Sequence, residues 1–227
     1  MSGSDSAGDP AVVFGRLRRT YPDARCELEH RNPFELLIAT VLSAQSTDAG
    51  VNKVTPVLFA RWPDAVALAG AAQAEVAEVI RPTGFFRTKA ANIIALAQRL
   101  VVDHDARVPA DRAALVRLPG VGRKTANVVL GHAFGVAALP CDTHVLRVAG
   151  RLGWLATTKP EVAERQLGAL FAPADWTLLS DTLIFHGRRC CHARRAACGA
   201  CPVAECCPSN GIGEPDPQAA ARLVKRP

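Results

Sequence analysis

Apolar residues along this chain recur at spacings of three and four, and nowhere do they alternate in twos over the length a half-buried strand requires. The pattern predicts an all-α protein. The clearest helix start is Asn32-Pro33-Phe34-Glu35, which combines an N-cap, a first-turn proline and a capping-box acid ahead of Leu36, Leu37, Ile38, Val41 and Leu42. So dense an apolar run predicts a buried helix. Further helices are predicted over 48–60, 73–80, 87–104, 111–117, 123–134, 142–153, 159–170 and 174–187, with Pro or Gly at most junctions. The segment Val12 to Tyr21 has one apolar face and too few turns to stand alone, so it must dock on another part of the fold. A discontinuous domain is expected.

A length of 227 residues with 49% hydrophobic and 21% charged residues suits two modest lobes or one large one, and excludes wholesale disorder or a disulfide-stapled miniprotein. The longest apolar stretches, such as Leu36 to Ala44, fall short of the roughly 18–20 residues a bilayer demands. No membrane span is expected. Residues 1–10 are read as a flexible N-terminus without a secretory signal, and residues 208–227 as a loosely held tail rich in Pro, Gly and polar residues. The expected location is cytoplasmic, with nucleoid association if the source is bacterial. A net charge of +6 and a pI near 9.1 favour an anionic partner such as nucleic acid or acidic lipid. Six of the eight cysteines crowd between Cys190 and Cys207, a density that points to a metal in a reducing compartment.

Two local patterns carry chemistry. In Leu118-Pro119-Gly120-Val121-Gly122-Arg123-Lys124-Thr125 a glycine turn joins two helical segments, so amides at the start of the second can face a phosphate. A nucleotide P-loop is rejected, because Arg123 separates Gly122 from Lys124 and the preceding segment is helical rather than a strand. A plain helix-turn-helix linker stays open. In the cysteine-rich stretch only Cys198 and Cys201 form a C-x2-C pair. The doublets Cys190-Cys191 and Cys206-Cys207 leave several ligand registers possible, with iron–sulfur and zinc as rivals. Arg188, Arg189, Arg194 and Arg195 against Glu205 make this stretch locally +3, suiting either a phosphate-contacting loop or a solvated basic face.

These features together resemble the endonuclease III family of bifunctional DNA glycosylase/AP lyases, within the helix-hairpin-helix superfamily. The resemblance rests on Leu42-Ser43-Ala44-Gln45-Ser46-Thr47-Asp48, Leu118 to Thr125, Asp142-Thr143-His144 and the cysteine cluster, in family order, and covers residues 11–207. It implies a helical barrel domain over 26–136, and an iron–sulfur domain from 11–25 and 137–207, with damaged DNA in the cleft between them. It selects Cys191, Cys198, Cys201 and Cys207 as ligands of a [4Fe-4S] cluster, leaving Cys190 and Cys206 as spare thiols.

By the same resemblance Lys124 is the nucleophile, desolvated beside Arg123, and Asp142 is the catalytic acid, although an aspartate opening a helix is most often simply its N-cap. Cys141 stands where the family commonly has Val. The hairpin residues Gly120, Val121, Gly122, Arg123 and Thr125, with His144, Arg194 and Arg195, are expected to contact DNA. Gln45 matches the glutamine that plugs the gap left by an extruded nucleotide, against a plain helix-end polar residue. Phe85 aligns with an apolar wedge, against a core aromatic. Only twelve aromatics argue against a single-strand stacking platform.

The implied activity is excision of oxidised pyrimidines from duplex DNA and cleavage at abasic sites, by a monomer. One competitor, an adenine-mismatch glycosylase, calls for an acid in the helix ending at Gln45, a residue other than lysine at 124 and a large further domain; Leu36 to Gln45 contains no acid, position 124 is lysine and twenty residues follow Cys207, so that reading is not expected. The other, a non-catalytic damage-binding iron–sulfur protein, is opposed by the Lys124 and Asp142 pair.

Overall fold

The computed structural model describes residues 8–225, and among them there is no strand, only helices and their connections. Residue contacts divide the chain into two compact units: Cys26–Ala138, and a discontinuous unit made of the chain up to Arg25 together with everything from Leu139 onward.

The discontinuous unit opens with α1 (Pro10–Thr20), whose N-cap Asp9 accepts a 2.8 Å hydrogen bond from the Ala11 N–H. Asp9 and Pro10 are therefore part of a helix start, not of a flexible end. Residues 1–7 lie outside the described residues. Helix α1 buries Val13, Phe14 and Leu17, which supply the apolar face a helix this short must hide.

The second unit holds α2 (Pro33–Leu42), α3 (Asp48–Asn52), α4 (Thr55–Arg61), α5 (Ala65–Ala69), α6 (Gln73–Val79), α7 (Phe86–Asp103), α8 (Arg112–Leu115) and α9 (Arg123–Phe134). Helix α2 runs through its middle, with Leu36, Leu37, Ile38 and Leu42 wholly buried. It packs on α7 and α9, and α7 in turn packs on α5 and α6. The start of α2 is doubly tied: the Asn32 side chain accepts from the Glu35 N–H at 3.0 Å, and the Glu35 carboxylate reaches back to the Arg31 N–H at 2.8 Å.

The single helix expected over 48–60 is two helices. Pro56 lacks an N–H, and its ring would strike the Asn52 carbonyl if the helix ran on, so α3 stops there and α4 starts afresh. Helix α5 was not expected; it is five residues long and hangs on the Asp64 cap, which accepts from the Ala67 N–H at 2.8 Å.

The discontinuous unit continues with α10 (Thr143–Arg151), α11 (Pro160–Leu170), α12 (Trp176–Arg189) and α13 (Pro217–Leu223). Helix α12 packs against both α10 and α1. Phe171 ties the core with edge-on contacts to Phe14 and Trp154, at ring separations of 5.6 and 5.2 Å.

The tail after Cys207, expected to be loose, is folded. Helix α13 is capped by Asp216 and buries Ala220 against Cys190 and Ala197. Backbone bonds from Gly199 N–H to the Glu214 carbonyl (2.8 Å), Glu214 N–H to Ala196 (2.7 Å) and Lys225 N–H to Arg189 (2.8 Å) strap it to the cysteine-rich loop. Gly213 lies so close that a Cβ there would collide with the Ala196 backbone. Gly213→Ala should therefore cost on the order of 1–3 kcal/mol in urea unfolding. Gly150→Ala, in open space on α10, should be neutral or stabilising by up to about 1 kcal/mol.

Candidate active site and metal centre

In the Cys26–Ala138 unit the glycine hairpin links α8 to α9. Gly120 takes a left-handed conformation (φ 75°), and a Cβ there would press to 3.3 Å from both Asn92 and Val41. Its glycine is needed for the turn and for close packing. At Gly122 the space around a Cβ is open, and the residue is exposed. As N-cap of α9 it has no side chain to cover the first-turn amides, which leaves the positive end of the helix facing outward. Arg123 and Lys124 are exposed on this turn and Thr125 is half-buried.

Two expectations change here. Lys124 is exposed rather than desolvated, because Ala126 and Asn127 supply the buried side of the first turn. Val121 offers no side chain outward: it packs into the core, and its N–H donates to the Leu118 carbonyl at 3.1 Å.

Two loops of the same unit carry Gln45 and Phe85. Both residues have positive φ, 55° and 46°, a conformation that costs a side-chain-bearing residue on the order of 1–3 kcal/mol. Both are exposed, Phe85 to 68%. Phe85 is thus not a core aromatic.

In the discontinuous unit Asp142 is the N-cap of α10. Its Oδ1 accepts from the His144 and Val145 N–H groups, each at 2.8 Å, and no hydrogen bond to Oδ2 is present among the described residues. Cys141 before it is buried in the core, so the thiol fills an apolar position. His144 Nδ1 lies 3.0 Å from Arg147 Nη2. A guanidinium only donates, so Nδ1 is the acceptor and any ring proton sits on Nε2.

A cavity in this unit is lined by Cys191, Cys198, Cys201 and Cys207, the four expected ligands, and by Cys190 and His186; Cys206 is not among its lining residues. The donor atoms of His186, Cys190 and Cys201 all lie within 4.8 Å of one another, so the presumed spare thiol Cys190 stands beside the expected ligand Cys201. The thiol of Cys190 is pushed well up by its hydrogen bond to Cys201 and by burial, and the same hydrogen bond, then His186, pushes Cys201 down. Burial raises Cys191 and Cys207 as well.

The loop is organised from α10 and α12. Arg151 donates to Cys191 Sγ at 3.3 Å and to the His192 and Ala193 carbonyls at 2.7 and 3.0 Å. Arg147 donates to the Cys191 and Gly187 carbonyls at 3.2 and 3.0 Å. Burial raises the Tyr21 phenol, which sits 3.0 Å from His186 Nδ1, while His186 Nε2 lies 3.8 Å from Cys201 Sγ. The phenol and the sulfur thus engage the two ring nitrogens of His186 and fix the orientation of the imidazole. Sequence reasoning missed Tyr21, Arg147, Arg151 and His186, although His144, Arg147 and Arg151 at spacings of three and four mark one face of α10. Arg194 is exposed as expected, but Arg195 forms an ion pair with Glu214 of the tail.

Residues 38–173 match the profile of the HhH-GPD superfamily of base excision DNA repair proteins. The endonuclease III of Synechocystis sp. is 50% identical over 194 residues, which span 85% of this chain and 89% of that protein. The chain belongs to the endonuclease III family. Two solved structures agree with the assignment, each with a TM-score of 0.87, 41% identity and coverage of 91% of this chain: a non-covalent endonuclease III–DNA complex, and a trapped endonuclease III–DNA covalent intermediate, covered to 97% and 98% of their own chains. The family implies an iron–sulfur cluster, and a cavity lined by five cysteines, with one sulfur already hydrogen-bonded by a guanidinium, fits such a group. Among the described residues no helix is long and apolar enough to cross a membrane.

Because Asp142 caps α10 through Oδ1, Asp142→Ala should lower stability by about 0.5–2 kcal/mol, whereas Asp142→Asn, which keeps the acceptor, should unfold near the wild-type urea midpoint.

Proposed function

We propose that this protein is a base-excision repair enzyme, a DNA glycosylase with AP lyase activity that removes oxidised pyrimidines from duplex DNA. The observation that carries the reading is an exposed primary amine, Lys124, on the uncapped first turn after a glycine hairpin. It stands in a chain 41% identical over most of its length to a protein trapped covalently on DNA.

The neutral Lys124 amine adds to C1′ of the damaged nucleotide as the glycosidic bond breaks, and the base leaves with the bonding electron pair and takes a proton from water. The C1′–O4′ bond then opens to give an imine to Lys124, with O4′ protonated. Loss of a C2′ proton expels the 3′ phosphate by β-elimination, and water hydrolyses the imine to free the amine. Asp142 Oδ1 is held by the α10 cap, which leaves Oδ2 as the base oxygen; in the reaction the resemblance implies, this carboxylate takes up the nucleophile's proton and stabilises positive charge developing on the sugar. Asp142→Asn keeps the cap and loses this role.

The amides of the hairpin around Gly122 hold a phosphate, with Arg123, Thr125 and Arg194 adding contacts that fix position rather than sequence. A contact from His144 comes from Nε2–H, since Nδ1 accepts from Arg147. Gln45 and Phe85 fill the gap left by the extruded nucleotide. The enzyme acts as a single chain in the compartment that holds duplex DNA, the cytoplasm of a bacterial cell.

Cys191, Cys198, Cys201 and Cys207 would hold a [4Fe-4S] cluster, which supplies a structural cross-link to a loop with little regular structure. Iron and acid-labile sulfide assays should give about four of each per chain. A single zinc with no sulfide would replace the cluster by a thiolate zinc site.

The test of the activity is borohydride trapping on a duplex carrying one thymine glycol. Wild type should form a covalent adduct and cut the strand, and Lys124→Ala should do neither. Metal-loaded wild type that binds the duplex without trapping or cutting would favour a monofunctional glycosylase or a binding role.

A further inference from the structure

Lys89 is the fourth residue of α7 and only 5% exposed. Its position is expensive on two counts. The first turn of a helix is its positive end, where a cation is disfavoured, and burial pushes the ammonium toward its neutral form. Among the described residues no ion pair to Lys89 is seen. Nζ donates instead to Ser46 Oγ and to the Thr83 carbonyl, both at 2.8 Å. Ser46 Oγ also donates to the same Thr83 carbonyl, so ammonium, hydroxyl and carbonyl close a triangle.

That triangle joins two loops. Ser46 follows Gln45 in the connection between α2 and α3, and Thr83 precedes Gly84 and Phe85 at the entry to α7. Gln45 and Phe85 each hold a positive φ beside it, and each points an exposed side chain outward. Strained residues persist only where their surroundings over-determine them, and here the surroundings are a charge-assisted hydrogen-bond knot. An apolar side chain of similar length would fill the same space without the cost of a buried charge.

We propose that Lys89 is a positioning residue that locks the Gln45 and Phe85 loops to each other, so that both side chains enter the duplex as one pre-set unit. The inference rests on the reading of Gln45 and Phe85 as gap-filling groups. Pre-setting removes the ordering that two independent loops would undergo when the nucleotide leaves the stack. The role is confined to opening the duplex; the covalent step belongs to Lys124.

The test uses full-length, metal-loaded protein and a duplex with one thymine glycol and 2-aminopurine beside it, so that fluorescence reports unstacking. Lys89→Met should slow duplex opening and single-turnover excision by about 10- to 100-fold. Its affinity for undamaged duplex should stay within about twofold, because no phosphate contact is removed, and its urea midpoint should be unchanged or higher. Ser46→Ala, which breaks the triangle without touching the charge, should slow opening in the same direction. In a Gln45→Ala/Phe85→Ala background, Lys89→Met should add no further loss.

Normal opening by Lys89→Met and Ser46→Ala in an enzyme that still excises would overturn the proposal and leave the proposed function intact. An equal loss in the double-alanine background would also overturn it, because Lys89 would then act elsewhere. Wild type that neither traps with borohydride nor opens the duplex would overturn the enzymatic reading, and this inference with it.

Discussion

The bonds from the Arg147 and Arg151 guanidiniums to the carbonyls of the cysteine-rich loop are the constraint on which the discontinuous unit depends. That loop has little regular structure, so its backbone acceptors need partners from elsewhere. Two arginines one turn apart on α10 satisfy carbonyls from Gly187 to Ala193, and Arg151 reaches a cysteine sulfur as well. The same helix begins at Asp142, whose cap bonds fix its first turn. One helix thus carries the proposed acid at its start and grips the thiol centre along its side.

Much of this was legible in the chain. The Asn32-Pro33-Glu35 start holds because the Asn32 side chain caps the Glu35 N–H, while the Glu35 carboxylate reaches one residue past the cap, to the Arg31 N–H, and the hairpin falls where Gly120 and Gly122 stand. Other parts were hidden for physical reasons. Pro56 splits a predicted helix that the apolar spacing alone would have continued. The tail helix carries the signal Asp216-Pro217, the same cap and first-turn proline as Asp9-Pro10 and Asn32-Pro33, but a polar composition obscured it.

Burial was the least readable property. Lysines look alike in a sequence, yet Lys124, expected to be desolvated, is exposed, and Lys89, which no motif marks, is buried. Arg195 looks like a surface cation and is neutralised by Glu214 across a gap of nineteen residues. Phe85, an aromatic whose spacing would equally suit the core, stands in solvent at a left-handed turn, as the wedge reading expected. Each outcome is decided by partners distant in the chain, which residue spacing does not report.

The strap formed by residues 213–225 has a consequence for the reactivity of the loop beneath it. Backbone bonds from this segment hold Arg189, Ala196 and Gly199, and α13 lies over Cys190 and Ala197. Cys190 is only 1% exposed. A reagent reaches that thiol only when the strap lets go, so local opening of this segment sets how fast the sulfur it covers can react.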